Sequence, residues 1–150
     1  MTKETAFTFY GGFKRLTTQP YRVAPLTARL CAMPSPELVE REKRATGPHY
    51  KVRIHLYANA VADDAMIRKL DTFPTGSIIV KEKLAADDSV AGVGGMIKRA
   101  PGYDAANGDW DYFYSDKGGA FFAGRLQNCA DCHASAKASD YVFSARKHFE

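Results

Sequence analysis

The segment SIIVKEKL, residues 77–84, is the strongest β segment of the chain, because branched aliphatic residues dominate its first half. Successive side chains of a strand point to opposite faces of a sheet. Ile79 and Lys81 therefore share one face, and Val80 and Glu82 share the other. A face that sets a lysine beside an isoleucine is not plainly solvated, which favours an inward Lys81.

Three further segments have the pattern of strands. Residues 49–57 alternate cleanly between apolar or aromatic side chains on one side and basic or aromatic ones on the other. Residues 90–99 contain three glycines, which indicate a bulge or the close approach of something bulky. Residues 109–115, DWDYFYS, are expected to pair with the preceding strand as a hairpin.

Helices are predicted at four places along the chain: over residues 35–45, 60–70 and 125–132, and again after Ser139. The second of them has Asn59 in front of it, a residue type that caps helix N-termini. With the strands, these helices predict the α+β class, a mostly antiparallel β-sheet with flanking helices packed on it and at its ends, the last of them C-terminal.

The composition fits a single domain over residues 1–150. Apolar residues make up 45% and charged residues 25% of the chain, which are ordinary globular values. The formal charge of +4 predicts only weak steering of anionic partners. No window reaches the roughly 18 apolar residues of a membrane span, and nothing resembles a nucleic-acid motif, so we expect neither partner.

The chemistry is carried by CADCH, residues 129–133, which matches the C-x-x-C-H signature of covalent haem attachment. Two thiols three residues apart on a helical turn, Cys129 and Cys132, can both reach haem vinyl groups and form thioethers. The next residue, His133, then presents its imidazole to the iron from the same side. The motif predicts one c-type haem with His133 as an axial ligand.

The cysteine pair has two other interpretations. A zinc site would need further ligands at suitable spacing, but Cys31 is the only other cysteine, and the remaining histidines, at positions 49, 55 and 148, show no paired spacing. A thioredoxin-like redox pair is expected near a βαβ unit, not near the C-terminus of an antiparallel protein. Cys31 itself is interpreted as a small buried residue or a free thiol.

Covalent haem attachment implies a bacterial periplasm or an equivalent compartment. The first residues, MTKETAF, lack a hydrophobic signal core. We therefore expect the numbering to be that of a mature periplasmic protein, or the first methionine to have been added.

Several segments together resemble the cytochrome P-460 family: VRIHLYAN (52–59), FPTGSIIVKEK (73–83), GMIKRAPGYD (95–104), GDWDYFY (108–114) and CADCHASAKASDYVF (129–143). The resemblance covers most of residues 50–145, while the first 45 residues add little. It implies a mostly β domain with one C-terminal C-x-x-C-H, whereas most cytochromes c are all-helical with the motif near the start.

The resemblance implies one of two activities. Cytochromes P-460 oxidise hydroxylamine and carry a lysine bonded to the porphyrin edge, whereas the related cytochromes c′-beta lack that bond and bind nitric oxide or carbon monoxide. The family's lysine falls on Lys81, with a solvated strand lysine as the alternative. A family arginine on the strand lining the haem pocket falls on Arg53, which could bind a haem ligand or a propionate or else be exposed.

One departure from the family concerns the segment just before the motif. The best hydroxylamine oxidisers have a carboxylate there, and residues 121–128 contain no acid. General base catalysis is worth about 10²–10⁴ in rate, so the loss weighs against fast turnover. Phe121 or Phe122 could instead cap the open side of the haem. A sixth ligand from Met33, Met66, Met96 or His55 is the less favoured alternative to core or surface roles.

Three functions follow as hypotheses. The first is a periplasmic oxidoreductase that oxidises hydroxylamine or a related small nitrogen species at an open iron and passes electrons to a partner cytochrome. The second is a nitric oxide or carbon monoxide binding protein, and the third is simple electron transfer, which needs a second strong axial ligand. Trp110, Tyr112 and Tyr114 share a strand face and are interpreted as core or as the contact of a homodimer.

Overall fold

A computed structural model describes residues 2–22, 44 and 53–143. Its centre is a seven-stranded antiparallel sheet, in which β1, β3, β4, β5, β6 and β7 follow one another and β2 also pairs with β3. The strands are β1 (Lys14–Arg15), β2 (Tyr21–Arg22), β3 (Arg53–Ala58), β4 (Ile78–Leu84), β5 (Val90–Lys98), β6 (Trp110–Asp116) and β7 (Phe121–Gly124). The predicted α+β class and the β5–β6 hairpin are confirmed.

Short helices flank this sheet: α1 (Lys3–Ala6), α2 (Ala60–Ile67), a 3-10 helix (Ala105–Asn107), α3 (Gln127–His133) and a second 3-10 helix (Ala134–Ser139). Asn59 caps α2 as predicted, because its side-chain oxygen accepts from the Ala62 amide at 3.0 Å. The same oxygen accepts from the Ile78 amide at 3.0 Å and thereby ties the helix to β4. Within the described residues, no helix is long and apolar enough to cross a bilayer.

The structure differs from the sequence-based expectation in residues 121–143, and some of the predicted features lie outside the described residues. Strand β7 was not predicted. The helix expected after Ser139 does not begin in the described residues, because Asp140 and Tyr141 adopt left-handed backbone with φ of 52° and 64°. Four predicted features lie outside the described residues: the helix over 35–45 except for Arg44, the start of the strand at 49–52, Cys31 and Met33.

Both faces of the sheet are covered, each by its own hydrophobic cluster. The front face, which carries Ile79, Met96 and Tyr112, packs against α2 and the segment that begins with α3. The back face, which carries Val80 and Phe113, packs against the N-terminal segment. Strand β4 therefore alternates between two buried surfaces, and the pattern of SIIVKEKL predicts the alternation.

The back face holds a carboxylate of β4 between two tyrosines. Tyr10 donates to one oxygen of Glu82 at 2.6 Å, and Tyr57 donates to the other at 2.9 Å. Phe9 packs edge-on against Phe113, with 5.7 Å between ring centroids. These contacts hold the N-terminal segment against the back face of the sheet, and β4 carries Lys81 on the opposite, front face.

The glycines of β5 serve close packing of the strands. The register shifts beside Lys83 and Leu84, which face Gly92 and Val90, so the predicted irregularity is present. At Gly95, a Cβ atom would lie 2.5 Å from the Ile79 carbonyl oxygen and 2.5 Å from the Phe113 ring. Only a residue without a side chain fits that position.

Substitution of Gly95 by alanine is expected to destabilise the fold by about 1–3 kcal/mol, because the added methyl overpacks the sheet. The matched control is Gly12→Ala, since a Cβ atom at Gly12 meets nothing within 4 Å. Its free energy of unfolding should change by no more than about 0.5 kcal/mol. Urea unfolding of both variants measures the difference, and equal midpoints would contradict the packing argument.

Candidate functional site

Helix α3 places the two motif cysteines against the front face. The helix begins after Leu126, whose carbonyl accepts from the Cys129 amide at 2.9 Å. Cys129 and Cys132 are both half-buried and unpaired, and three-residue spacing puts them on the same side of the helix. Burial raises the pKa of the Cys129 thiol to about 11 and also raises that of Cys132. Both sulfurs are therefore protonated thiols beside an apolar surface.

His133 ends α3 and is buried. Its Nδ1 lies 2.6 Å from the carbonyl oxygen of Tyr141, and because a carbonyl can only accept, Nδ1 carries the proton. Burial, helped by the charge of Lys81, lowers the pKa of His133 to about 3. The imidazole is therefore neutral at ordinary pH, and its Nε2 keeps the lone pair that a metal ligand needs.

Lys81 lies on the front face, in the middle of β4, and is directed at the same motif. Its Nζ is 5.8 Å from the centroid of the Phe143 ring, which itself packs against His133 at 4.9 Å. Burial lowers the pKa of Lys81, while its electrostatic interaction with Cys132 and Cys129 opposes that shift. The amino group is thus half-buried near both thiols and the imidazole.

Lys83, two residues further along the same face, has a different environment. Its ammonium forms an ion pair with Asp116 across β5 and is almost fully buried. Gly92 permits this pair, because a Cβ atom there would lie 2.7 Å from the Asp116 carboxylate. Among the described residues, no carboxylate forms an ion pair with Lys81, so the two lysines of one strand face are chemically distinct.

The structure does not bring Arg53 to this cluster. Arg53 pairs with Leu84 in the register of β3 and β4, which puts its side chain on the back face, opposite to Lys81. Its guanidinium donates to the Ala85 carbonyl at 2.9 Å and forms an ion pair with Asp88 at 2.7 Å. These groups of the β4–β5 turn account for its position.

Tyr112 is a site residue that the sequence analysis did not single out as such. Its ring lies 5.2 Å from that of His133, and its hydroxyl is buried without a hydrogen-bond partner among the described residues. Burial raises its pKa, with a further contribution from Cys129. Tyr112 and Trp110 belong to the front-face cluster, so their interpretation as core is confirmed.

The remaining candidates divide between the two faces. Phe122 stands in one cross-strand row with Lys81 and stacks on Tyr114 at 4.9 Å, whereas Phe121 packs into the back-face cluster. Met66 and Met96 are buried in the front-face core. His55 is bound to the Thr17 hydroxyl at 2.9 Å on the back face. Of the predicted cap residues, only Phe122 lies on the side of the motif.

No group of three or more histidine, cysteine or acidic side chains in residues 2–22, 44 and 53–143 is placed to hold a metal ion. The described residues thus do not assemble the ligand set that the zinc interpretation needs. What they assemble is two thiols, one neutral imidazole with a free Nε2, and an amino group, all against an apolar sheet face.

The family model of cytochrome P460 matches residues 37–144. The chain belongs to the cytochrome P460 family. As a member of that family it is a haem-binding cytochrome. The search of curated protein sequences found no match. The residues of this cytochrome P460 fit a haem: the imidazole is neutral, the thiols are unpaired, and the buried Tyr112 hydroxyl has no hydrogen-bond partner in the part of the chain that the structure describes.

Proposed function

We propose that this cytochrome P460 carries one haem bound by thioethers to Cys129 and Cys132 and ligated by His133. We propose further that it oxidises hydroxylamine or a related small nitrogen species at the open side of the iron. The haem supplies a redox-active iron with one free coordination position. The observation that carries this proposal is the amino group of Lys81, half-buried beside the motif, at the position to which the resemblance assigns the porphyrin-linked lysine.

The chemistry of Lys81 supports a bond to the porphyrin edge. Only a neutral amine has the lone pair needed to bond to carbon, and burial lowers the pKa of Lys81 toward that state. Lys83, by contrast, forms an ion pair with Asp116. The strand thus offers one lysine suited to a covalent bond and one suited to an ion pair.

We also propose a redox partner, a compartment and an oligomeric state for the protein. Electrons taken from the substrate would pass to a soluble partner cytochrome. The compartment that permits haem attachment is the bacterial periplasm or its equivalent. Among the described residues, no strand pairs with the outer edge of β7, and we propose that this edge receives a second copy in a homodimer.

A second function, the binding of nitric oxide or carbon monoxide, is supported by one specific observation. Phe122 and Tyr114 form a stacked aromatic pair in the cross-strand row of Lys81. An aromatic cap suits a small apolar gas. The absence of an acid from residues 121–128 removes the base that would take a proton from hydroxylamine.

The two functions are separated by mixing the oxidised protein with hydroxylamine without oxygen, and the reduced protein with carbon monoxide. We expect hydroxylamine to reduce the haem and carbon monoxide to bind without displacing a protein ligand. Carbon monoxide binding without reaction toward hydroxylamine would select the gas-binding function. Failure of both reactions, with a six-coordinate ferrous spectrum, would select simple electron transfer.

A further inference from the structure

We propose that the buried ion pair of Lys98 and Asp140 positions His133. The ion pair fixes the turn that contains Tyr141, and the Tyr141 carbonyl accepts a hydrogen bond from Nδ1 of the imidazole. Lys98 and Asp140 are thus positioning residues that act on the iron through His133. The inference rests on the proposed function only in that His133 ligates the haem iron.

The ion pair is fully satisfied and shielded from water. The Nζ of Lys98 lies 2.8 Å and 2.7 Å from the two carboxylate oxygens of Asp140, and both side chains are 8% exposed. One of those oxygens also accepts from the Phe73 amide at 2.8 Å. The Nζ sits 5.0 Å from the Trp110 ring centroid, which adds a cation–π contact.

The turn that Asp140 anchors is strained. Both Asp140 and Tyr141 occupy the left-handed region, and neither is a glycine. Residues in this conformation persist only where the surrounding structure determines them. The carbonyl of Asp140 accepts from Nε1 of Trp110 at 2.8 Å, so side chain and backbone of the same residue are both held.

Tyr141 is held from the other side of the turn. Its hydroxyl donates to the Ala106 carbonyl at 3.0 Å, and its ring lies against Gly108, where a Cβ atom would come within 2.5 Å. The amide of Tyr141 donates to the Ala136 carbonyl at 2.9 Å. With Asp140 fixed, the direction of the Tyr141 carbonyl is fixed as well.

That carbonyl controls the ligand properties of His133. An acceptor on Nδ1–H sets the tautomer and the ring orientation and raises the basicity of Nε2. The distance of 2.6 Å leaves little room for another carbonyl direction. A buried ion pair is by itself a weak source of stability. The Lys98–Asp140 pair holds the residue next to Tyr141, so we assign it a role in placing His133.

The test compares Asp140→Asn, Lys98→Met and the double variant as holoproteins. The asparagine tolerates the left-handed backbone, and the double variant leaves no unpaired buried charge, so it should fold if a single variant does not. The readouts are the iron–histidine stretching frequency of the reduced protein and the midpoint potential. We expect all three variants to lower the frequency and raise the potential, by up to a tenfold shift of the redox equilibrium, or about 59 mV.

Opposite potential shifts in the two single variants, with the double variant unchanged, would overturn the proposal, because they would reveal a simple charge effect. Unchanged readouts in all variants would overturn it too. The matched control is Asp111→Asn, which removes the negative charge that lies 2.8 Å from Nε of Arg99 on the back face and should leave both readouts unchanged. Neither readout requires turnover, so a protein inactive toward hydroxylamine still tests the positioning role.

Discussion

Replacement of Lys81 by alanine is expected to convert the absorption spectrum to that of an ordinary c-type haem and to abolish hydroxylamine oxidation. The proposed bond of Lys81 to the porphyrin edge would interrupt the conjugation of the porphyrin and shift the ferrous Soret band far to the red, and the variant would lack that bond. Haem attachment should survive, because Cys129 and Cys132 are untouched. Spectra of the reduced variant and its hydroxylamine turnover measure the two effects.

The matched control is Lys83→Ala, on the same strand face. The ammonium of Lys83 is engaged by Asp116, so this variant should keep the wild-type spectrum. Tryptic mapping gives an independent readout, since the peptide with Lys81 should travel with the haem peptide that contains Cys129. Separate peptides together with an unchanged Lys81→Ala spectrum would make the lysine structural and favour the gas-binding function.

The second large effect concerns covalent attachment. The wild-type protein should keep its colour after acid–acetone extraction, and its intact mass should exceed that of the polypeptide by one haem. The double variant Cys129→Ser, Cys132→Ser should lose its haem completely on extraction, because no thioether remains.

The control for attachment is Cys31→Ser, which removes the third cysteine and should leave the mass increment unchanged. Haem that is extractable from the wild-type protein would contradict c-type attachment. Zinc found in place of haem would contradict the haem site altogether. Both outcomes are read from intact mass and metal analysis on the same samples.

The local patterns of the sequence predict the sheet well. The alternation in SIIVKEKL correctly assigns Ile79 and Val80 to opposite faces, because the two-residue period of a strand is a property of the backbone, whereas burial of both faces follows only from the structure. The glycines of β5 correctly indicate an irregularity and close packing. The C-x-x-C-H motif can be found from spacing alone, because its two cysteines and its histidine lie within five consecutive residues of one helix.

What the sequence does not reveal is which face of the sheet receives the motif. Alternation places Arg53 and Ile54 on opposite faces of the sheet. Only the packing of α3 on the front face shows that Arg53 points away from the motif. The pairing of Lys98 with Asp140 joins residues 42 positions apart, and no local pattern predicts it. Likewise, the importance of Tyr112 depends on its distance from His133, which arises only from tertiary packing.

The strand order carries a consequence for the way the molecule is built. From β3 to β7 every strand pairs with the next one in the chain, so most of the loops that close during folding are short and cost little entropy, and the connection between β3 and β4 contains α2. The contact of Tyr10 with Glu82 joins residues 72 positions apart, so we expect it to form after the strands from β3 to β7 have paired. Because CADCH follows β7, all strands of the described sheet are synthesised before the motif cysteines emerge from the ribosome.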